Sequence, residues 1–152
     1  MNNTLAAKWL KGHASAVEFV LLVHQIVELW DDLIDLDKPV TREEIDAAFY
    51  AALIQLPRNA FYRENFGLLN PVFESVILDW FTSNALEKTG KEDSLRIAFV
   101  LRCGVLSLTA MSARIIGGVK WAQQVNLELR AVREDWAEYL AKVKANGLVE
   151  SV

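Results

Sequence analysis

The sequence predicts an all-α fold, a compact bundle of five to six helices forming a single domain over residues 1–152. Three observations carry this expectation. Apolar residues recur at helical spacing over segments too long for ordinary strands. The three prolines, Pro39, Pro57 and Pro71, fall between those segments, where helix punctuation belongs. The β-branched residues sit inside the same long segments, and no Asn-Gly or Asp-Gly turn joins two alternating runs. With 53% hydrophobic residues, a chain of 152 residues has the length and apolar content for one core.

The first helix is expected over 4–11, short and amphipathic, ending near Gly12. Ser15-Ala-Val-Glu18 is a capping-box pattern that opens a second helix over 16–36, closed by Asp37-Lys-Pro39. Thr41-Arg-Glu-Glu44 is another, opening a third helix that runs to about Leu56 before Pro57. The aromatic stretch 57–69 reads as irregular, with at most a short helix after Asn59. Asn70-Pro71 then supplies an N-cap and a first-turn proline for a fourth helix ending near Thr89-Gly90. Asp93 or Ser94 starts a fifth, stopped after Ile116 by Gly117-Gly118. The last spans 120–145, with a break near Asn126 and Asn146-Gly147 as its C-cap. It is the most charged helix, which suits an outer or oligomer-forming position.

A net charge of −4 and a pI of about 5.2 give no pull towards nucleic acid or anionic lipid. The single cysteine, Cys103, excludes a disulfide framework and a Cys-rich zinc site, and fits a reducing cytoplasm. The N-terminus lacks the pattern of a signal peptide. No apolar run reaches the ~20 residues of a membrane span without a charge; the nearest, 97–111, contains Arg102. The apolar excess leaves surface for a partner, and a homo-oligomer is the expected form.

Chemistry concentrates in 24–35, HQIVELWDDLID. At about 100° per residue, His24, Glu28, Asp31 and Asp35 share a wedge of roughly 60°, with Asp32 at its edge. Stacked carboxylates repel and favour a cation beside them. The aspartates also lie at the C-terminal end of the helix, where the macrodipole disfavours negative charge by ~0.3–1 kcal/mol each. Val17, Val20 and Leu21 occupy the same face earlier, so the polar run begins midway along an apolar stripe. Oxygen-rich ligands suit Mg²⁺ or Mn²⁺. One helix cannot close such a site, and Asp79, first of the series Asp79, Ser83, Glu87, is the expected contribution from another. Arg102, within AFVLRCGVLSLTAM, requires a carboxylate or a phosphate if buried. Pairing with Asp79 and anion binding are its two readings. A solvated acidic face explains the same stripe without any ligand.

Asp31-Asp32-Leu-Ile-Asp35 resembles the DDxxD motif of isoprenyl diphosphate synthases, whose aspartates hold Mg²⁺ against a diphosphate. The spacing of Asp79, Ser83 and Glu87 is similar to the second metal motif of the related terpene cyclases. The resemblance implies an Mg²⁺ role for Asp31, Asp32 and Asp35. A second DDxxD and a basic diphosphate-binding segment are missing. Glu28-Leu-Trp-Asp31 also matches the ExxD element of the MazG and dimeric dUTPase group, without an upstream ExxE. The run WDDLIDLDKPVTREEID resembles small uncharacterised proteins of tailed phages and prophages, which implies no activity.

Two functions remain open on the sequence. In one, His24, Glu28, Asp31, Asp32, Asp35 and Asp79 hold a divalent metal, and the bundle binds or hydrolyses a phosphorylated or diphosphate small molecule. In the other, the chain is a phage-encoded oligomeric interaction or structural protein without catalytic activity.

Overall fold

The computed structural model describes residues 1–36, 38–132 and 135–145. The fold is all-α: 87% of the described residues are helical and they contain no strand. Among the described residues the helices form seven continuous segments, against five or six expected. They comprise α1 (Asn3–Trp9), α2 (Ala14–Asp35), α3 (Arg42–Tyr50), α4 (Leu56–Arg58), α5 (Ala60–Glu64), α6 (Phe66–Glu87), α7 (Glu92–Leu101), α8 (Leu106–Ala131) and α9 (Trp136–Ala145). A π-helical turn, Ala51–Gln55, makes α3 and α4 continuous, and a 3₁₀ turn, Arg102–Val105, does the same for α7 and α8.

Several boundaries depart from the sequence expectation for local reasons. The Thr41 capping box forms, with Glu44 N donating to Thr41 Oγ1 at 3.2 Å and Thr41 N donating to Glu44 Oε2 at 2.8 Å. The Ser15 box does not. Helix α2 starts at Ala14, and Glu18 instead accepts from Asn59 Nδ2 at 2.8 Å, tying α2 to the start of α5. Pro57 does not end the third helix. The wider π turn lies just ahead of it, and such a turn absorbs the i−4 clash and the missing donor of a proline. Asn70-Pro71 does not start α6, which begins at Phe66 and carries Pro71 in its second turn. Asn70 Oδ1 accepts from the Tyr62 hydroxyl at 2.9 Å instead of capping. Asn59 is a real cap, accepting from Tyr62 N at 3.0 Å.

The Gly117-Gly118 stop is a kink within α8: Gly118 has φ 81° and ψ −179°, a region that essentially only glycine occupies. Helix α8 passes straight through Asn126. The expected C-cap Asn146-Gly147 and the helix-closing Asp37 lie outside the described residues.

One main core joins α1, α2, α5, α6 and α8, with Trp9, Leu10, Phe19, Val20, Val23, Leu69, Leu108, Val125 and Leu129 wholly or almost wholly buried. Trp9 is also anchored by polar contacts: its Nε1 donates to Glu128 Oε2 at 2.8 Å, and its carbonyl accepts from Trp121 Nε1 at 2.8 Å. A second, smaller cluster joins Leu95 and Phe99 of α7 to Tyr139 and Val143 of α9. The continuous helical stretch Glu92–Ala131 is long and apolar enough to cross a membrane by length and composition alone, which the sequence reading did not expect. It carries Arg102 in mid-course and buries Leu108, Thr109, Ser112 and Ala113 within the protein.

Candidate functional site

The acidic stripe of α2 is divided among three sets of partners. His24 and Glu28 form the first: His24 Nδ1 lies 4.0 Å from Glu28 Oε1, and the amino group of Met1 lies 3.7 Å from the same oxygen. The Glu28 side chain is 65% exposed, so its charge is largely in water. Asp32 is the second, paired with Lys38 Nζ at 2.7 Å beyond the end of the helix.

Asp31 and Asp35 are the third, and they face Arg102. Arg102 Nη2 donates to Asp31 Oδ2 at 3.0 Å and lies 3.8 Å from Asp35 Oδ2. Arg102 Nη1 donates to Glu87 Oε1 at 3.2 Å. Trp80 Nε1 donates to the other Asp31 oxygen at 3.3 Å. The Tyr139 hydroxyl donates to Glu87 Oε1 at 2.8 Å, and the guanidinium sits 5.3 Å from the centre of the Tyr139 ring. The expected partner of Arg102 was Asp79, and this is corrected. Asp79 is half-buried on α6 and is not among the carboxylates on Arg102. The partner from that helix is Glu87, two turns further along the same i, i+4 series.

Helix geometry explains the convergence. Asp31 and Asp35 are one turn apart on α2, and Glu87 ends α6 beside them. Arg102 enters from the 3₁₀ turn between α7 and α8, whose Gly104 lies beside Val76 of α6. The hub is poorly solvated, with the side chains of Arg102 and Glu87 only 19% and 8% exposed. Burial works against the charge on Arg102, yet Asp31, then Glu87 and Asp35, hold its pKa above the ordinary guanidinium value.

Two clefts flank the hub. One, of about 630 Å³, brings His24, Glu28, Asp31 and Arg102 together with Trp80 and the apolar side chains Leu5, Val27, Leu106 and Leu129. The other, of about 430 Å³, is lined by Trp30, Ile34, Asp35, Trp80, Phe81, Asn84, Glu87 and Lys88. Both volumes fall in the range of small-molecule sites. Among the described residues no group of three or more His, Cys, Asp or Glu side chains is arranged to hold a metal ion. The carboxylates close on a guanidinium instead. Their oxygen chemistry suits Mg²⁺ or Mn²⁺, whereas their present arrangement is an ion-pair hub.

Sequence reasoning missed Tyr139 and Trp80 as members of the site. Both are aromatic residues at helical spacing, which reads as core. Glu87 was visible as the last member of its series.

Comparison with family models, with curated proteins and with solved structures finds no match. Fold and hub together define the chain as an all-α protein with a partly buried arginine–carboxylate centre.

Proposed function

We propose that the hub is the working site of a cation-dependent protein acting in the cytoplasm on a phosphorylated or diphosphate small molecule. The observation that carries this reading is the carboxylate cluster. Asp31, Asp35 and Glu87 converge on Arg102 in a poorly solvated place. A set of oxygen ligands of this kind suits a divalent cation. Held by Asp31, Asp35 and Glu87, Mg²⁺ or Mn²⁺ would supply phosphate bridging and activation of water, the chemistry of a diphosphate or phosphoester hydrolase. Arg102 then serves the phosphate oxygens, and Trp80 fixes the orientation of Asp31. His24 and Glu28 line the larger cleft and are available to a ligand there.

A thermal melt with Mg²⁺ or Mn²⁺, against the same sample in EDTA, tests the reading. At a hundredfold excess over Kd the native state gains about 2.7 kcal/mol, and Asp35→Asn combined with Glu87→Gln removes the gain. A wild-type protein whose melting is indifferent to both ions overturns it.

A second reading, self-association, rests on a separate observation. The Trp30 ring lies 4.6 Å from Trp80 and 5.9 Å from Phe81. Trp30 lines one shallow cleft with Leu33 and Phe49, and the next with Ile34 and Phe81. Leu33, Ile34, Phe49 and Phe81 are all exposed. A continuous aromatic and aliphatic face of this kind matches the composition of interface cores, and a second copy of the chain is its simplest occupant. Sedimentation equilibrium should give a dimer that Ile34→Glu with Phe81→Glu converts to monomer. A wild type that sediments as a monomer at every concentration removes this reading.

A further inference from the structure

Helix α9 is held by a hydrophobic cluster of its own. Tyr139 and Val143 meet Leu95 and Phe99 of α7, with Trp136 and Leu140 packed at the edge, apart from the main core. The Phe99 ring lies 5.1 Å from Tyr139 and 5.5 Å from Trp136, and the Arg96 guanidinium lies 4.9 Å from the Trp136 ring. A segment whose apolar contacts form a small cluster separate from the main core opens without the rest of the fold.

Its buried polar tie leads to the hub. Tyr139, wholly buried, donates its hydroxyl to Glu87 Oε1, the same oxygen that accepts from Arg102. Two donors therefore pin one oxygen of Glu87. Among the described residues the other oxygen, Oε2, carries no hydrogen bond. Glu87 and Asp35 line the same cleft.

We infer that α9 is a strap that opens independently of the bundle, and that Tyr139 is a positioning residue that orients Glu87 for the cleft it shares with Asp35 while the strap is docked. Linkage makes the coupling reciprocal: whatever cation Glu87 and Asp35 hold also holds the strap, and releasing the strap weakens the cation's binding. That last step rests on the cation reading; the strap itself does not.

Hydrogen exchange by mass spectrometry on the full chain separates the two. Amides of α9 should exchange through an opening that leaves α1 and α2 protected. Tyr139→Phe keeps the ring and therefore the cluster, and should speed α9 exchange about tenfold, the loss of one charge-assisted hydrogen bond. Glu87→Met removes the Arg102 pair as well and should speed α9 exchange at least as much, and adding Tyr139→Phe to it should speed that exchange no further, because the Tyr139–Glu87 bond is already gone. Exchange of α9 in step with α1 and α2, or full additivity of the two substitutions, overturns the strap. Added Mn²⁺ should slow α9 exchange in wild type and do so less in Tyr139→Phe. A Mn²⁺ thermal shift without slower α9 exchange overturns the linkage. No thermal shift at all overturns the cation reading and leaves the strap to be judged on the exchange of the variants.

Discussion

Arg102→Met should cost ~3–5 kcal/mol of folding stability at neutral pH, read as a fall in the denaturant midpoint at unchanged m-value. The magnitude follows from burial, not from bond length. The Arg96–Glu92 pair is shorter, at 2.6 Å, than any contact of Arg102, but its side chains are 57% and 69% exposed. Pairs of that kind contribute within about 1 kcal/mol. Removing Arg102 leaves Glu87, 8% exposed, with Tyr139 as its hydrogen-bond donor, and leaves Asp31 with Trp80. Methionine fills much of the space, so the loss measures the charge more than a cavity. Arg96→Met is the matched control and should move stability by less than about 1 kcal/mol. Equal effects at the two positions would show that the hub behaves as open surface. On the cation reading, Arg102→Met also gains more than wild type from Mn²⁺, since three carboxylates then lack their guanidinium.

The helices were legible because their signals are local. The Thr41 capping box and the Gly117-Gly118 break each depend on residues within a turn of one another. Two of the failures share one cause, a tertiary partner outbidding a local rule. Ser15 and Glu18 have the letters of a capping box, yet Asn59 from a distant segment takes Glu18 and the Ser15 carbonyl. Asn70 has the letters of an N-cap, yet the Tyr62 hydroxyl takes its oxygen. Pro57 was read as a helix end and Pro71 as the first turn of a new helix, because a proline removes a donor. A π turn before the first, and placement near the start of α6 for the second, accommodate that loss.

The candidate site was legible in half. The spacing of Asp31 and Asp35 puts them one turn apart on a face that begins apolar, and that is where Arg102 meets them. Arg102 itself stood out as a lone charge in an apolar run. The pairing did not follow, because Asp79 and Glu87 lie on one stripe of α6 and periodicity alone cannot say which end faces α2. Asp79 was preferred for its apolar neighbours Leu78, Trp80 and Phe81, of which Leu78 and Phe81 are exposed. The grouping of six ligands into one site also assumed that a shared helix face meets a shared partner. A helix of 22 residues meets several, and the stripe is split among Met1, Lys38 and Arg102.

Acid should destabilise the fold between pH 6.5 and 4 through His24, by roughly 3 kcal/mol when the loss is complete. Burial, then the positive charge of the N-terminal amine, lowers the His24 pKa from 6.5 to about 4. The side chain is 14% exposed, so the shift is only weakly screened. Glu28 is near enough to favour the imidazolium, but at 4.0 Å and mostly in water it does not outweigh burial. The sign follows from proton counting. Between pH 4 and 6.5 the unfolded chain carries a proton on His24 that the folded chain excludes, so stability rises with pH across that window and the contribution is complete above it. The folded state holds a neutral ring whose Nε2 is buried without a hydrogen-bond partner among the described residues. His24→Leu removes both the titration and that orphaned atom. Its stability should fall less than that of wild type from pH 6.5 to 4, the difference being the His24 contribution; carboxylates held below their ordinary range, such as Glu44 and Glu128, add a loss near pH 4 that both proteins share. Parallel pH profiles for the two proteins would place the acid sensitivity elsewhere and show that His24 is hydrated in the fold.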